Sequence, residues 1–126
     1  MPQHNPREAS QQLLDWNRRH LTAHGPLDEA AIAEVFASQF TVKANGRLHP
    51  ANHRNYLEFL ENFRRDIRQI DYDIHETVAE GDNAVLAITA HVTRLNADVD
   101  RFEAMLMLSF DQEGLVTLWH EVYVRS

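Results

Sequence analysis

The closing segment LVTLWHEVYV, Leu115 to Val124, constrains the fold more than any other stretch. It is rich in Val, Leu, Thr, Trp and Tyr and lacks Pro and Gly, which is the composition of a β-strand. Side chains of a strand alternate between its faces. One face carries Val116, Leu118, His120, Val122 and Val124; the other carries Thr117, Trp119, Glu121 and Tyr123. A half-buried strand would pair an apolar face with a solvated one. This strand pairs an aliphatic face holding one His with an aromatic face holding one Glu. Residues 84–94 set Leu86, Ile88, Ala90 and Val92 against Val85, Ala87, Thr89 and His91. Residues 101–110 set Phe102, Ala104, Leu106, Leu108 and Phe110 against Arg101, Glu103, Met105, Met107 and Ser109. Three strands with so little solvated surface predict a sheet covered on both faces.

The turns GDN, NAD and DQEG join these segments to each other and to IDYDIHETVAE. Connections this short imply antiparallel pairing. Helices are expected upstream. Asn5 can cap the first, Pro6 suits its first turn, and Glu8 has capping-box spacing. Ala9, Leu13, Trp16, His20 and His24 then form one stripe, ended by Gly25-Pro26. Asp28 caps a short helix, EAAIAEVFAS, that buries Ile32, Val35 and Phe36. QFTVKANGRLHP suggests a hairpin or extended arm turning at Asn45-Gly46. NHRNYLEFLENFRRDI places Tyr56, Phe59, Leu60, Phe63 and Ile67 on one helical stripe, with the basic FRRDIR on its solvated side. Helices first and a meander second give an α+β domain. A single domain spans 1–126, with an N-terminal arm over 1–7. The three helices can cover one sheet face, so a second subunit is the expected cover for the other.

Several functions are disfavoured by composition. The chain has 126 residues and no Cys, which removes disulfides and thiolate chemistry. Its formal charge of −7 argues against nucleic acid or anionic membrane as partner. A polar N-terminus and the lack of a long apolar run lead to the expectation of a cytoplasmic protein. No GxGxxG, P-loop or GxSxG occurs. His20/His24 and His49/His53 have i, i+4 spacing, but a third metal ligand is not evident, so no metal or cofactor is expected.

Three helices followed by a bent sheet, with VAEGDNAVLAITAHVT and LSFDQEGLVTLWHEVYV as strand–turn–strand signatures, resemble the nuclear-transport-factor-2-like superfamily. That group includes SnoaL-like polyketide cyclases, ketosteroid isomerases and scytalone dehydratase. The resemblance, over about residues 8–126, implies three helices packed on a strongly curved antiparallel sheet, a cone-shaped α+β barrel with an apolar pocket. It also implies a homodimer through the outer sheet face, here Leu86, Ile88, Val92, Met105, Met107, Leu118, His120 and Val122. By the ketosteroid-isomerase pattern, Trp119, Glu121 and Tyr123 line the pocket, with Val85, Ala87, Thr89 and His91 from the neighbouring strand. That family's oxyanion-donating Tyr falls on or near His20, its general-base Asp near Ala44, and its protonated Asp on Leu106. With both carboxylates missing, the ketosteroid-isomerase mechanism is not expected.

Glu121 is the leading chemical candidate, because a carboxyl among aromatic rings has its pKa raised by desolvation. His91 and His20 complete a possible acid/base set around a ligand oxygen. Trp16, Tyr56, Phe59, Thr89, Leu106, Phe110, Trp119 and Tyr123 are the expected pocket. Each residue also has a plainer reading: Glu121 paired for structural reasons, the His residues as polar core or rim, the aromatic stripes as core. Two functional readings stay open. One is a cofactor-independent isomerase, cyclase or dehydratase acting on an apolar or ring substrate. The other is a non-catalytic ligand-binding or dimeric association module of the same fold.

Overall fold

Each helix starts where a short polar side chain catches a free backbone amide, as the end of a helix requires. In the computed structural model, which describes residues 5–126, Asn5 accepts from the Arg7 amide at 2.9 Å and opens α1 (Pro6–His20). Asp28 accepts from the Ala31 amide at 2.8 Å and opens α2 (Glu29–Ala33). Asn52 and Asn55 exchange side chain-to-backbone bonds, both 2.9 Å, in a capping box that opens α3 (His53–Phe63). Of the arm expected over 1–7, residues 1–4 lie outside the described residues, and Pro6 and Arg7 are already helical.

Between α2 and α3 lie β1 (Phe36–Ala44) and β2 (Arg47–Asn52), an antiparallel hairpin. Its two-residue turn puts Asn45 at φ 49° and Gly46 at φ 87°. Both are left-handed, which is why Asn-Gly is favoured there. After α3 the chain runs through β3 (Ile67–Glu80), β4 (Asn83–Arg94), β5 (Val99–Phe110) and β6 (Val116–Arg125). One six-stranded sheet results, in the order β2-β1-β6-β5-β4-β3. It is curved and unclosed. Extra residues interrupt its register between Ile74 and Glu76 on β3 and where Phe110 meets Val116. Such bulges bend a strand and increase its twist.

Three expectations need correction here. The second helix stops at Ala33, and Phe36 opens β1 instead. Ile67 opens β3 rather than extending α3, because the helix ends at the cap residue Arg64. The sheet is not wholly antiparallel, since β1 pairs with β6 in parallel, with Val42 beside Trp119 and Ala44 beside Glu121. Short turns dictate the antiparallel meander, but β1 reaches β6 across most of the chain.

The core lies between helices and sheet. Leu13, Leu14 and Trp16 of α1, Ile32 of α2 and Tyr56 and Leu60 of α3 share it with Phe36, Leu86, Ile88, Leu106, Leu108 and Val116. Arg64 also departs from expectation. It does not merely face solvent; its guanidinium donates to the carbonyls of His20, Thr22 and Gly25, which are left free where α1 ends. His24 is exposed beyond that end, off the α1 stripe. Among the described residues no helix is long and apolar enough to cross a membrane.

Candidate functional site

Residues directly opposite one another in a β-ladder share a face, so register alone sorts the strands. Leu106 of β5 lies between Leu86 of β4 and Glu121 of β6. Leu108 lies between Ala84 and Trp119, and Ala104 between Ile88 and Tyr123. Leu86, Leu106 and Leu108 belong to the buried core, so Trp119, Glu121 and Tyr123 also point to the helix-covered face. Leu106 and Phe110 are deep in that core, as is Trp16, whose indole Nε1 donates to the Ala31 carbonyl at 3.0 Å.

The same register reverses the expected orientation of β4. Leu86, Ile88 and Val92 do not form an outer interface; they are buried under the helices. Val85, Ala87, Thr89 and His91 occupy the outer face, so Thr89 and His91 are not beside Glu121. A shift of one residue moves every side chain of a strand across the sheet. The outer face supplies the polar partners. His91 Nε2 meets Asp73 Oδ2 at 2.9 Å. Thr89, only 5% exposed, meets His75 Nε2 at 2.6 Å and both carboxylate oxygens of Glu103 at 3.1 and 3.0 Å. Met105, Met107, Leu118, His120 and Val122 lie on this outer face too.

His20 is buried and its ring lies 4.5 Å from that of Trp16, but its Nδ1 is engaged by the Pro26 carbonyl at 2.5 Å. One ring nitrogen is thus committed to holding the loop after α1. Phe59 is half exposed on α3, stacked between Tyr56, Phe63 and His49. His53 bonds the Phe36 carbonyl through Nε2 at 2.9 Å, so the His49/His53 spacing joins a strand to a helix start. Among the described residues no group of three or more His, Asp or Glu side chains is arranged to hold a metal.

Glu121 is the half-buried carboxylic acid of this helix-covered group. Burial pushes it above its ordinary value of 4.5, partly offset by the Trp119 indole, whose Nε1 donates to Oε1 at 3.4 Å. Two residues that sequence reasoning missed stand around it. Tyr72 of β3 is on the same face, and its hydroxyl accepts from the Asn17 amide Nδ2 at 3.1 Å. Asn17 itself is buried on α1. Burial raises the Tyr72 phenol, and the bond from Asn17 partly counters this. Burial raises the Tyr56 phenol as well, with Tyr72 adding to the effect. The charge of Glu121 opposes ionisation of both phenols. Around neutral pH the two tyrosines are therefore neutral hydrogen-bond donors.

Small side chains flank this group. Ala44 lies beside Glu121, Ala104 beside Tyr123, and Ala90 between Tyr72 and Phe102. Phe102 and Tyr123 meet edge to face at 5.8 Å. Two surface hollows lie elsewhere. One, about 500 Å³, is lined by Asp66, Arg94, Leu95, Asn96, Asp98, Asp100 and Arg125; the other, about 550 Å³, by residues of the β1–β2 hairpin, Asn55 and Thr117. The charges of the first already pair, Arg94 with Asp66 and Asp100, and Arg125 with Asp100. Chemistry therefore favours the Glu121 group over either hollow.

The sequence matches the family model of the SnoaL-like domain over residues 17–119. A search of curated proteins finds no significant match. Among solved structures, the chain is similar to an LEH-like epoxide hydrolase of M. tuberculosis, with 14% identity and a TM-score of 0.74 over 94% of this chain and 82% of that one. It is also similar to a protein named as a SnoaL-like polyketide cyclase of Shewanella denitrificans, with 12% identity and a TM-score of 0.75 over 94% and 90%. A protein of the same name from Shewanella putrefaciens is 17% identical, with a TM-score of 0.71 over 99% and 80%. At these identities the likeness is one of fold.

Proposed function

Because the chain belongs to the SnoaL-like family, we propose that it binds an apolar or ring-containing small molecule under its helices and acts on it by cofactor-independent acid/base chemistry. In this reading the helices close over the curved sheet as a cone. The observation that carries it is the position of Glu121, a half-buried carboxyl on the helix-covered face beside the Trp119 indole, with its pKa raised by burial. A raised pKa suits a carboxyl that must both hold and release a proton. Glu121 would move the proton, Tyr56 and Tyr72 would donate to a ligand oxygen, and Trp119 and Tyr123 would hold an apolar ring. His91 has no place in this set, and His20 positions the α1 end of the wall. Isomerisation, cyclisation and dehydration all fit such a site.

Ligand recovered with the purified protein and identified by untargeted mass spectrometry would give the substrate class. A panel of epoxides and polyketides, chosen from the names of the similar folds, would then be screened for turnover. Glu121→Gln keeps the shape and removes the titrating proton. Loss of turnover with retained binding supports catalysis by Glu121. Unchanged turnover contradicts it. Binding without turnover in the wild type leaves the ligand-binding module as the function.

The outer face supports a second proposal, a homodimer. Val85, Met105, Val122 and Val124 are exposed there, and monomers rarely leave such a patch uncovered. A stable interface would bury at least about 1,000 Å² in total.

A further inference from the structure

We propose that two copies of this chain meet through their outer sheet faces about a two-fold axis parallel to the strands, so that the lysine-bearing β1 edge of each lies over the acidic β3 edge of the other. The inference rests on the outer-face homodimer proposed above and adds how its two copies are arranged. Register orders this face into rows. One row runs Val78, Val85, Met107, His120, Lys43 and Leu48, from β3 across to β2. The next runs Glu76, Ala87, Met105 and Val122. The middle of the face is thus largely apolar, and its two edges differ in charge. Asp71, Asp73, Glu76 and Glu80 line the β3 edge. On β1 and β2 the outer residues Thr41, Lys43, Leu48 and Pro50 include no acid. Lys43 is also the only lysine of the chain.

Two-fold symmetry can bring two such faces together in two ways. An axis across the strands sets β3 over β3 and β1 over β1. The acidic edge of one copy then meets the same edge of the other, in a chain whose formal charge is already −7. Like charges brought together at an interface are costly. An axis along the strands instead sets each β3 edge over the β1 edge of the other copy. Asp71 and Asp73 are already engaged, by Arg18 and His91. Glu76, Glu80 and Lys43 make no ion pair with any described residue, so they are the charges left to pair between copies. Size permits the contact. Six strands spaced about 4.8 Å apart and about ten residues long give each copy roughly 700 Å² of face, so full overlap exceeds the roughly 1,000 Å² that a stable interface buries in total.

The test follows dimerisation of the full chain by sedimentation equilibrium and maps the contact with a carbodiimide, which joins a lysine amine directly to a carboxylate. Within one chain Lys43 and the β3 acids lie on strands four spacings apart, about 19 Å, so a direct link between them must join two copies. Mass spectrometry of the linked dimer should find Lys43 joined to Glu76 or Glu80. Lys43→Glu and Glu76→Lys should each weaken the dimer about tenfold or more, and the double variant should restore it. A dimer in which Lys43 links to no β3 acid would overturn this arrangement and leave the homodimer standing. So would single reversals that leave the affinity unchanged or raise it. A wild type that stays monomeric at high micromolar concentration would overturn the homodimer reading together with it.

Discussion

The two faces of the β4–β5–β6 sheet handle ionisable groups in opposite ways. On the outer face they are paired: His91 with Asp73, and Glu103 with Thr89, which also contacts His75. On the helix-covered face the Glu121 carboxylate has, among the described residues, only the 3.4 Å indole contact, and burial works against its charge. A half-buried acid without an ionic partner shifts its pKa upward, because its charge is harder to keep there than a neutral carboxyl. The same sheet thus separates polar pairs that shape a surface from a lone acid suited to chemistry.

The largest predicted contrast tests the faces themselves. Leu106 is fully buried between Leu86 and Glu121, and Leu106→Ala should cost about 2–5 kcal/mol in urea denaturation. Val78→Thr, on the exposed outer face of β3, should stay within about 0.5 kcal/mol. Similar losses at both positions would erase the distinction between the faces. Next in size is association. Val122→Asp places a charge at the centre of the proposed dimer face and should give a monomer by light scattering at concentrations where the wild type is a dimer. A monomeric wild type would refute the interface instead.

The pH dependence sharpens the comparison further. The folded-state pKa of Glu121 is raised, so the stability linked to its proton is present below the ordinary value of 4.5. That stability is lost as pH rises through the folded value. Glu121→Gln should remove this decline, leaving the variant relatively more stable at neutral pH than in acid when both are compared with wild type. Asp71 provides the reverse case. The Arg18 hydrogen bond holds it below its ordinary 3.8, so its contribution is present above that value and lost as pH falls through the folded one. Asp71→Asn should therefore weaken the protein at neutral pH and lose the difference in strong acid. The pair is solvent-exposed, so the effect should not exceed about 1 kcal/mol.

Much of the fold was legible because it is written locally. Asn5 and Asp28 announce helix starts, Asn45-Gly46 announces a hairpin, and alternation in β5 and β6 assigns their faces. β4 resisted the same treatment. Leu86, Ile88 and Val92 differ little in pattern from Val85, Ala87 and Thr89, so alternation gives two equivalent answers. The choice depends on Asp73 and Glu103, which bond His91 and Thr89 from neighbouring strands. The parallel β1–β6 ladder was hidden for a related reason, since it joins distant segments without a turn between them. In the site, Glu121 and Trp119 were visible from alternation. Tyr72 could have been, because Ile70, Tyr72 and Ile74 alternate with Asp71 and Asp73 in IDYDI. Asn17 carried no such signal, as a polar residue beside an apolar helical stripe ordinarily faces water.

The most direct test is a titration of Glu121 itself, with the side-chain carboxyl carbon labelled and followed by nuclear magnetic resonance from acid to neutral pH. Glu121→Gln assigns the signal. The account predicts a Glu121 midpoint above 4.5. A Glu121 midpoint at or below 4.5 would mean that the carboxyl is solvated or paired, and would contradict the partly desolvated acid on which the proposed chemistry depends.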